Sequence, residues 1–207
     1  MKRTIEEHAA RFDERAPEYD GSKSEEYEAA ATLVIEAADP QPAETILDLG
    51  TGTGAIALAI AEDADEVIGR DISDGMLEQA RKKAEDRKLE NVSFGKGSFR
   101  KPNVDRDIDI VTSNFAMHHL SDEQKREAIE VIAEFEPRRF VLGDVMFFGE
   151  PDPSEVFYSP DVDDPATVGL LADAITDAGF VLSSVEQIHE QVGVLVADSP
   201  ATAAENA

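Results

Sequence analysis

From about residue 45 onward, short apolar runs alternate with segments whose apolar residues recur at helical spacing. Thr45-Ile46-Leu47-Asp48-Leu49-Gly50 reads as a buried strand, and Ala55-Ile56-Ala57-Leu58-Ala59-Ile60-Ala61 as the helix after it. A second strand over Glu66 to Asp71 is followed by a helix from Ser73 to Lys88, with Ser73 as its cap. Val92-Ser93-Phe94, Ile108 to Ser113 and Phe140 to Phe147 supply strands three to five, with a helix over Asp122 to Ala133 between the last two. This repetition predicts an α/β fold, a Rossmann-like doubly wound sheet that is mostly parallel and covered by helices on both faces. The pattern changes after a proline- and acid-rich loop, Gly149 to Asp164, and a helix from Ala166 to Ala178. Two β-rich runs follow, Val181 to Ile188 and Val192 to Ala197, with only His189, Glu190 and Gln191 between them, so they pair as a C-terminal antiparallel hairpin and bring the total to seven strands. Ser24 to Ala38 has helical spacing, and residues 1–20 form a charged arm. Residues 1–40 are therefore read as an N-terminal helical cap, 41–200 as a single domain, and 201–207 as a disordered tail.

Composition narrows the chemistry. A chain of 207 residues suits one domain that buries roughly 70% of its unfolded surface, so it needs no covalent staples. Without cysteine there are no disulfides, thiolate zinc sites, iron–sulfur clusters or cysteine nucleophiles. No apolar run approaches the ~18–20 residues of a membrane span, and the start, MKRTIEEHAARFDERAPEYD, is too charged for a secretory signal. The expectation is a soluble cytoplasmic protein.

Charge adds a second constraint. Forty-five acids against 19 bases give −26, while 42% hydrophobic residues in regular blocks argue for a folded chain over a disordered acidic one. Self-repulsion of that size is screened at ~1 M salt, where the Debye length is ~3 Å, so the acid-rich, lysine-poor balance reads as halophilic. The same sign disfavours nonspecific nucleic-acid binding. One island departs from it: residues 81–106 hold nine bases and four acids. It could meet an anionic substrate or RNA, but its bases lack interleaved aromatics beyond Phe94 and Phe99, which favours an exposed helix end plus loop.

The sharpest local signal is Asp48-Leu49-Gly50-Thr51-Gly52-Thr53-Gly54, where a strand gives way to a helix. Glycines at alternate positions let the backbone turn sharply and approach a ligand, and the helix start offers free N–H groups. Asp71 closes the second strand 21 residues after Gly50, the separation at which a carboxylate meets ribose hydroxyls. Two cofactors satisfy these features, because Gly50 to Ala55 also fits the looser dinucleotide pattern. Asp48 separates them: it is an odd neighbour for a pyrophosphate and a sensible one, directly or through water, for the ammonium of S-adenosylmethionine.

On ILDLGTGTG (46–54), IGRDIS with Met76 (68–76), DIDIVTSNFAMHHLSD (107–122), GDVMFF (143–148), Gly179-Phe180 before the hairpin and FDERAPEYD (12–20), the sequence resembles the class I S-adenosylmethionine-dependent methyltransferases. The last stretch is similar to the cap of their small, ubiquinone/menaquinone-methyltransferase-like small-molecule branch. The resemblance implies S-adenosylmethionine as cofactor. It places Gly50 and Gly52, with Thr51 and Gly54 in the same turn, at the methionine part, Asp71 at the ribose, and Ile72 and Met76 beside the adenine. Ser98 stands where many relatives carry an acid that reads the adenine amino group, so recognition there leans on the backbone and Phe99. Arg70 replaces a residue that is usually apolar in the group.

Methyl transfer needs alignment and water exclusion, and a base only when the attacking atom carries a proton of high pKa. Ligands of open α/β sheets bind at the carboxyl ends of strands, which nominates Asn114, Met117, His118 and His119 after strand four and Asp144 in strand five. His118 and His119 are candidate bases by type, and Tyr19 is a candidate to close over the methyl group. No metal is expected, because the two histidines are adjacent and no third ligand at helical spacing accompanies them. Asn114-Phe115-Ala116-Met117 replaces the Asn/Asp-Pro-Pro-aromatic run of amino-directed nucleic-acid methyltransferases. The reading is a methyltransferase with a small-molecule acceptor. RNA or protein methylation, a silent partner subunit that kept the cofactor fold, and an NAD-dependent oxidoreductase are the alternatives.

Overall fold

Alternation along the strands builds the two faces of the sheet. In β1 (Thr45–Leu49), Ile46 faces one side and Leu47 and Leu49 the other, and all three are fully buried. Each side needs its own helical layer as a result. In this computed structural model, which describes residues 4–150 and 158–205, α2 (Glu25–Ala38) and α3 (Ala55–Ile60) cover the Ile46 face through Val34, Ala38, Ile56 and Ile60. The opposite face carries α5 (Asp122–Ala133) and α6 (Val168–Asp177), with Ile129, Ile132, Leu171 and Ile175 in its core. Between α3 and the sheet edge, α4 (Asp74–Arg87) runs from its Ser73 cap, whose hydroxyl accepts the Met76 N–H, and buries Met76, Leu77, Ala80 and Ala84.

The remaining strands are β2 (Glu66–Asp71), β3 (Val92–Lys96), β4 (Ile110–Asn114), β5 (Arg139–Phe147), β7 (Val181–His189) and β8 (Val192–Asp198). The spatial order is β3-β2-β1-β4-β5-β8-β7. The first five strands are parallel, β8 runs antiparallel to β5, and β7 runs antiparallel to β8. This is the expected seven-stranded path, with one addition. Ala166–Thr167 form a two-residue strand, β6, beside Met146 and Phe147, so the helix expected from Ala166 starts at Val168, capped by the Thr167 hydroxyl. The order reverses between β1 and β4, which opens a crevice at the carboxyl ends of these strands.

Near both ends the described residues form helices where a charged arm and a disordered tail were expected. Ile5–Arg15 form α1, started by a capping box in which the Thr4 hydroxyl accepts the Glu7 N–H and the Glu7 carboxylate accepts the Thr4 N–H. A 3₁₀ segment, Ala16–Ser22, leads on to α2. At the other end Pro200–Glu205 form a short helix, α7, which corrects the expectation of a disordered tail from residue 201; residues 206–207 lie outside the described residues. Four of the nine bases of the basic island meet acids in ion pairs. Lys83 meets Asp20, Lys96 meets Asp74, Arg100 meets Glu127 and Arg106 meets Glu66.

Candidate functional site

The turn after β1 is held open by backbone that only glycine adopts without strain. Gly50 has φ +69, and a Cβ there would drive into the Ala116 methyl, so the loop lies directly against the segment after β4. Gly50 and Thr51 N–H both donate to the Arg70 carbonyl, which ties this turn to the end of β2. At that end Asp71, 9% exposed, accepts the Gly52 N–H at 2.8 Å on one oxygen and the Ser73 N–H at 2.9 Å on the other. Burial raises its pKa against those two hydrogen bonds, so its carboxylate favours further donors.

A cavity of about 350 Å³ opens over this turn. It brings together most of the residues expected at a cofactor: Gly50, Thr51, Gly52, Asp71, Ile72, Met76, Ser98, Phe99 and Asn114 all line it. Two do not reach its wall. Gly54, φ +82, caps α3 with Leu58 and Ala80 against the space a side chain would need, which makes its role structural. Asp48 points to the α2 and α3 side of β1, 1% exposed, where it accepts the Thr112 hydroxyl at 2.9 Å. Its other oxygen has no partner, and burial lifts its pKa to about 6. Around the cavity, buried Thr51 Oγ1 and both amide atoms of Asn114 also lack hydrogen-bond partners. Buried polar atoms left open in a cavity wall are ready to meet a polar ligand.

The N-terminal segment roofs the cavity. Thr4, Ile5, His8, Phe12 and Tyr19 all line it. Asp13 accepts the Ser73 hydroxyl at 2.6 Å and the Gly75 N–H at 2.9 Å at the start of α4. Asp20 accepts the Thr53 hydroxyl at 2.6 Å from the glycine turn and pairs with Lys23 and Lys83. The Lys83, Thr53 and Lys23 contacts outweigh partial burial and hold the Asp20 carboxyl well below the usual carboxylate range. Tyr19 and Tyr27 sit at the inner edge of the roof, and burial pushes both phenols up, so they are neutral donors at ordinary pH.

A second cavity, about 370 Å³, shares Phe12, Tyr19, Tyr27, Phe115 and His119 with the first. His118 faces this one alone, whereas His119 and Tyr19 face both. Both histidines are paired with carboxylates that are remote in sequence. His118 Nδ1 lies 2.5 Å from Asp144 Oδ1, and the His118 backbone N–H donates to Asp144 Oδ2 at 2.8 Å. Burial works against its imidazolium, but the charge and hydrogen bond of Asp144, with Asp163 beyond, win and raise the pKa above 6.5. His119 Nδ1 lies 2.7 Å from Asp163 Oδ1, yet burial and the neighbouring His118 take its pKa down to about 4. His119 is therefore neutral near pH 7, with Nδ1–H donating to Asp163. Asp163 is positioned by the Ser159 N–H, and its loop is tied down by Asp164 N–H to the His118 carbonyl and by the buried Lys125 ammonium, which donates to the Leu120 and Asp164 carbonyls.

The sequence reading looked for a third metal ligand only at helical spacing. A third possible metal ligand does accompany the histidines: one ligand atom each from His118, His119 and Asp163 lie within 4.8 Å of one another. It comes from a loop 44 residues downstream of His119, not from helical spacing. Both Nδ1 atoms already face carboxylates, and Arg11, Arg15 and Lys23 line the same cavity, so the cluster acts as two histidine–carboxylate pairs in a cationic surround. Phe115, between the cavities, holds a left-handed backbone (φ 52) and donates its N–H to the Gly143 carbonyl; a non-glycine residue in that region is the kind of local strain found at working sites. Sequence reasoning missed Tyr27, Phe115 and Asp163. It named Asp144 without its partner.

A family described as a methyltransferase domain matches residues 46–135. The chain is similar to the uncharacterized methyltransferase YcgJ of Bacillus subtilis, 36% identical over 115 residues, covering 54% of this chain and 45% of the relative. The uncharacterized methyltransferase OB1106 of Oceanobacillus iheyensis is 32% identical over 149 residues, 66% of each chain. The chain thus spans about half to two thirds of these curated relatives. Among solved structures, YcgJ superposes with a TM-score of 0.65 at 27% identity, covering 77% of this chain and 71% of that one. The [4+2]-cyclase SpnF superposes with a TM-score of 0.79 over 96% of this chain and 98% of that one, at 17% identity, a likeness of fold alone. Among the described residues no helix is long and apolar enough to cross a membrane.

Proposed function

Because the chain carries a methyltransferase domain of the class I S-adenosylmethionine-dependent kind, we propose that it binds S-adenosylmethionine in the first cavity and methylates a small molecule held in the second. The observation that carries this reading is the shared wall: a glycine turn and a buried acid on one side, and a histidine–carboxylate pair on the other, separated by Tyr19, Tyr27, Phe115 and His119.

The residues fit the cofactor. Asp71 suits a ribose diol, since a carboxylate that already accepts two backbone N–H groups still has lone pairs for hydroxyl donors. Ile72, Met76 and Phe99 offer apolar walls for a purine, and Ser98 a single hydroxyl. The open amide of Asn114 and the Thr51 hydroxyl would hold the amino-acid end, and the bare backbone at Gly50 leaves room for it. When bound, the sulfonium supplies an electrophilic methyl whose in-line displacement neutralises charge. The chain's own residues then align and exclude water. Tyr19 and Phe12 close the roof over the junction of the cavities. For an acceptor hydroxyl, Asp144 fixes the His118 tautomer with its proton on Nδ1, which leaves Nε2 to take the acceptor's proton. His119 is the weaker base of the two and serves to position His118, whose ring centroid lies 4.1 Å away.

The test is incubation of the protein with methyl-labelled S-adenosylmethionine and a metabolite extract at high salt, read by mass spectrometry for a compound that has gained one labelled methyl. Transfer to a small molecule supports the reading. Transfer only to added RNA or protein would move the acceptor class, and cofactor binding with no transfer would leave a silent cofactor fold.

A further inference from the structure

In a chain where acids outnumber bases 45 to 19, the second cavity reverses the ratio. Arg11, Arg15 and Lys23 line it, and the one acid in its described wall, Asp163, is engaged with His119 and the Ser159 N–H. Its walls are also rich in rings: Phe12, Tyr19, Tyr27, Phe115 and Tyr158. The cations lie against those rings. The Lys23 ammonium is 4.8 Å from the Tyr27 ring centre and 5.8 Å from that of Tyr19, and the guanidinium carbons of Arg15 and Arg11 are each 5.9 Å from the centres of Tyr19 and Phe12. Stacking fixes where the positive charge sits while leaving hydrogen-bond donors for an anion, and a planar guanidinium fork matches a carboxylate or a phosphate.

We propose that this cavity selects an aromatic acid, an acceptor whose flat ring lies among the tyrosine and phenylalanine side chains and whose carboxylate or phosphate is held by Arg15 and Lys23, with Arg11 alongside. The proposal rests on the methyltransferase reading for the word acceptor, but not for the binding itself. A neutral aromatic of the same shape would fill the slot and leave Arg15 without an anion, while Lys23 keeps its pair with Asp20. That difference favours the acid, and on a chain of net charge −26 the cavity gathers three cations beside aromatic rings where an anion would be attracted.

The experiment is calorimetric titration of the full chain, saturated with S-adenosylhomocysteine so that nothing turns over. The probes are hydroxybenzoates and hydroxynaphthoates, phenyl and naphthyl phosphates, and the matching neutral methyl esters and phenols. At least one anion should bind about tenfold or more tightly than its neutral counterpart. The series that does so identifies the anionic group. Arg15→Gln should erase most of that preference without changing the affinity for S-adenosylhomocysteine, and Lys23→Gln should reduce the preference as well. Equal binding of anions and neutral counterparts overturns the proposal, as does a preference that survives in both variants. Failure of the parent to bind S-adenosylhomocysteine would instead defeat the reading of the first cavity, so the two failures are distinct.

Discussion

Asp48 makes the fold pH-sensitive in an unusual direction. Its carboxyl is 1% exposed, accepts the Thr112 hydroxyl, and is pushed up to about 6 from 3.8 because burial outweighs the hydrogen bonding that favours its charged form. A raised carboxyl pKa means that the unfolded chain releases the proton first. Stability from the neutral form is complete below 3.8 and is lost as pH rises through 6. The folded and unfolded values lie about 2.2 apart. At about 1.36 kcal/mol per unit, the full loss is about 3 kcal/mol. Asp48→Asn removes the titration, although its amide nitrogen inherits the unpartnered position and adds a constant offset. Urea unfolding of ligand-free parent and variant, in one high-salt buffer between about pH 4 and pH 8, cancels that offset in the difference of slopes. The parent should lose about 2–3 kcal/mol more than Asp48→Asn across this range. Parallel curves would refute the reasoning, since they would mean that the buried carboxyl is solvated or otherwise compensated.

Asp144→Asn removes the charge that holds the His118 pKa above 6.5, leaving burial to lower it, so the acid limb of methyl transfer to a hydroxyl acceptor should move to lower pH; a pH–rate profile checks this, and an unmoved limb removes His118 as the base. Gly50→Ala places a methyl against Ala116 at φ +69 and should cost about 1–3 kcal/mol of stability and at least about tenfold in S-adenosylmethionine affinity; adding Ala116→Gly should recover part of the stability, as read by thermal melts and calorimetry. Asp71→Asn should weaken S-adenosylmethionine by about tenfold or more in the same calorimeter, and it should also loosen the glycine turn, since one oxygen becomes a donor where Gly52 N–H or Ser73 N–H needs an acceptor. Raising potassium chloride from ~0.05 M to ~1 M should increase the thermal midpoint, and an unchanged midpoint would dismiss self-repulsion as a force on this fold.

The strands and helices around the sheet were legible because their signals are local. Ile46 against Leu47, Ser73 before α4, and Gly179 before the hairpin each declare themselves within a few residues. Alternation also carried information left unused: Asp48 shares the face of Ile46, which turns it away from the cavity that its position beside the glycines suggested. The order of α1 is written in Thr4 and Glu7, a capping box whose pattern is hidden by the surrounding charges. The second cavity had no such signature. His118 and Asp144 are 26 residues apart, His119 and Asp163 are 44 apart, and only the topology makes them neighbours. Tyr27 looked like one more residue of an amphipathic helix until the sheet placed α2 beside Phe115, with ring centres 5.1 Å apart.

The roof is fastened at two points, by Asp13 to the start of α4 and by Asp20 to Thr53, and both anchor points belong to the loops that carry Asp71 and the glycines. Occupancy of the pocket and the release of residues 4–22 from these anchors are therefore coupled. On the proposed function, release of spent ligand waits for those clasps to open, so their opening rate would cap turnover however fast the chemistry beneath runs.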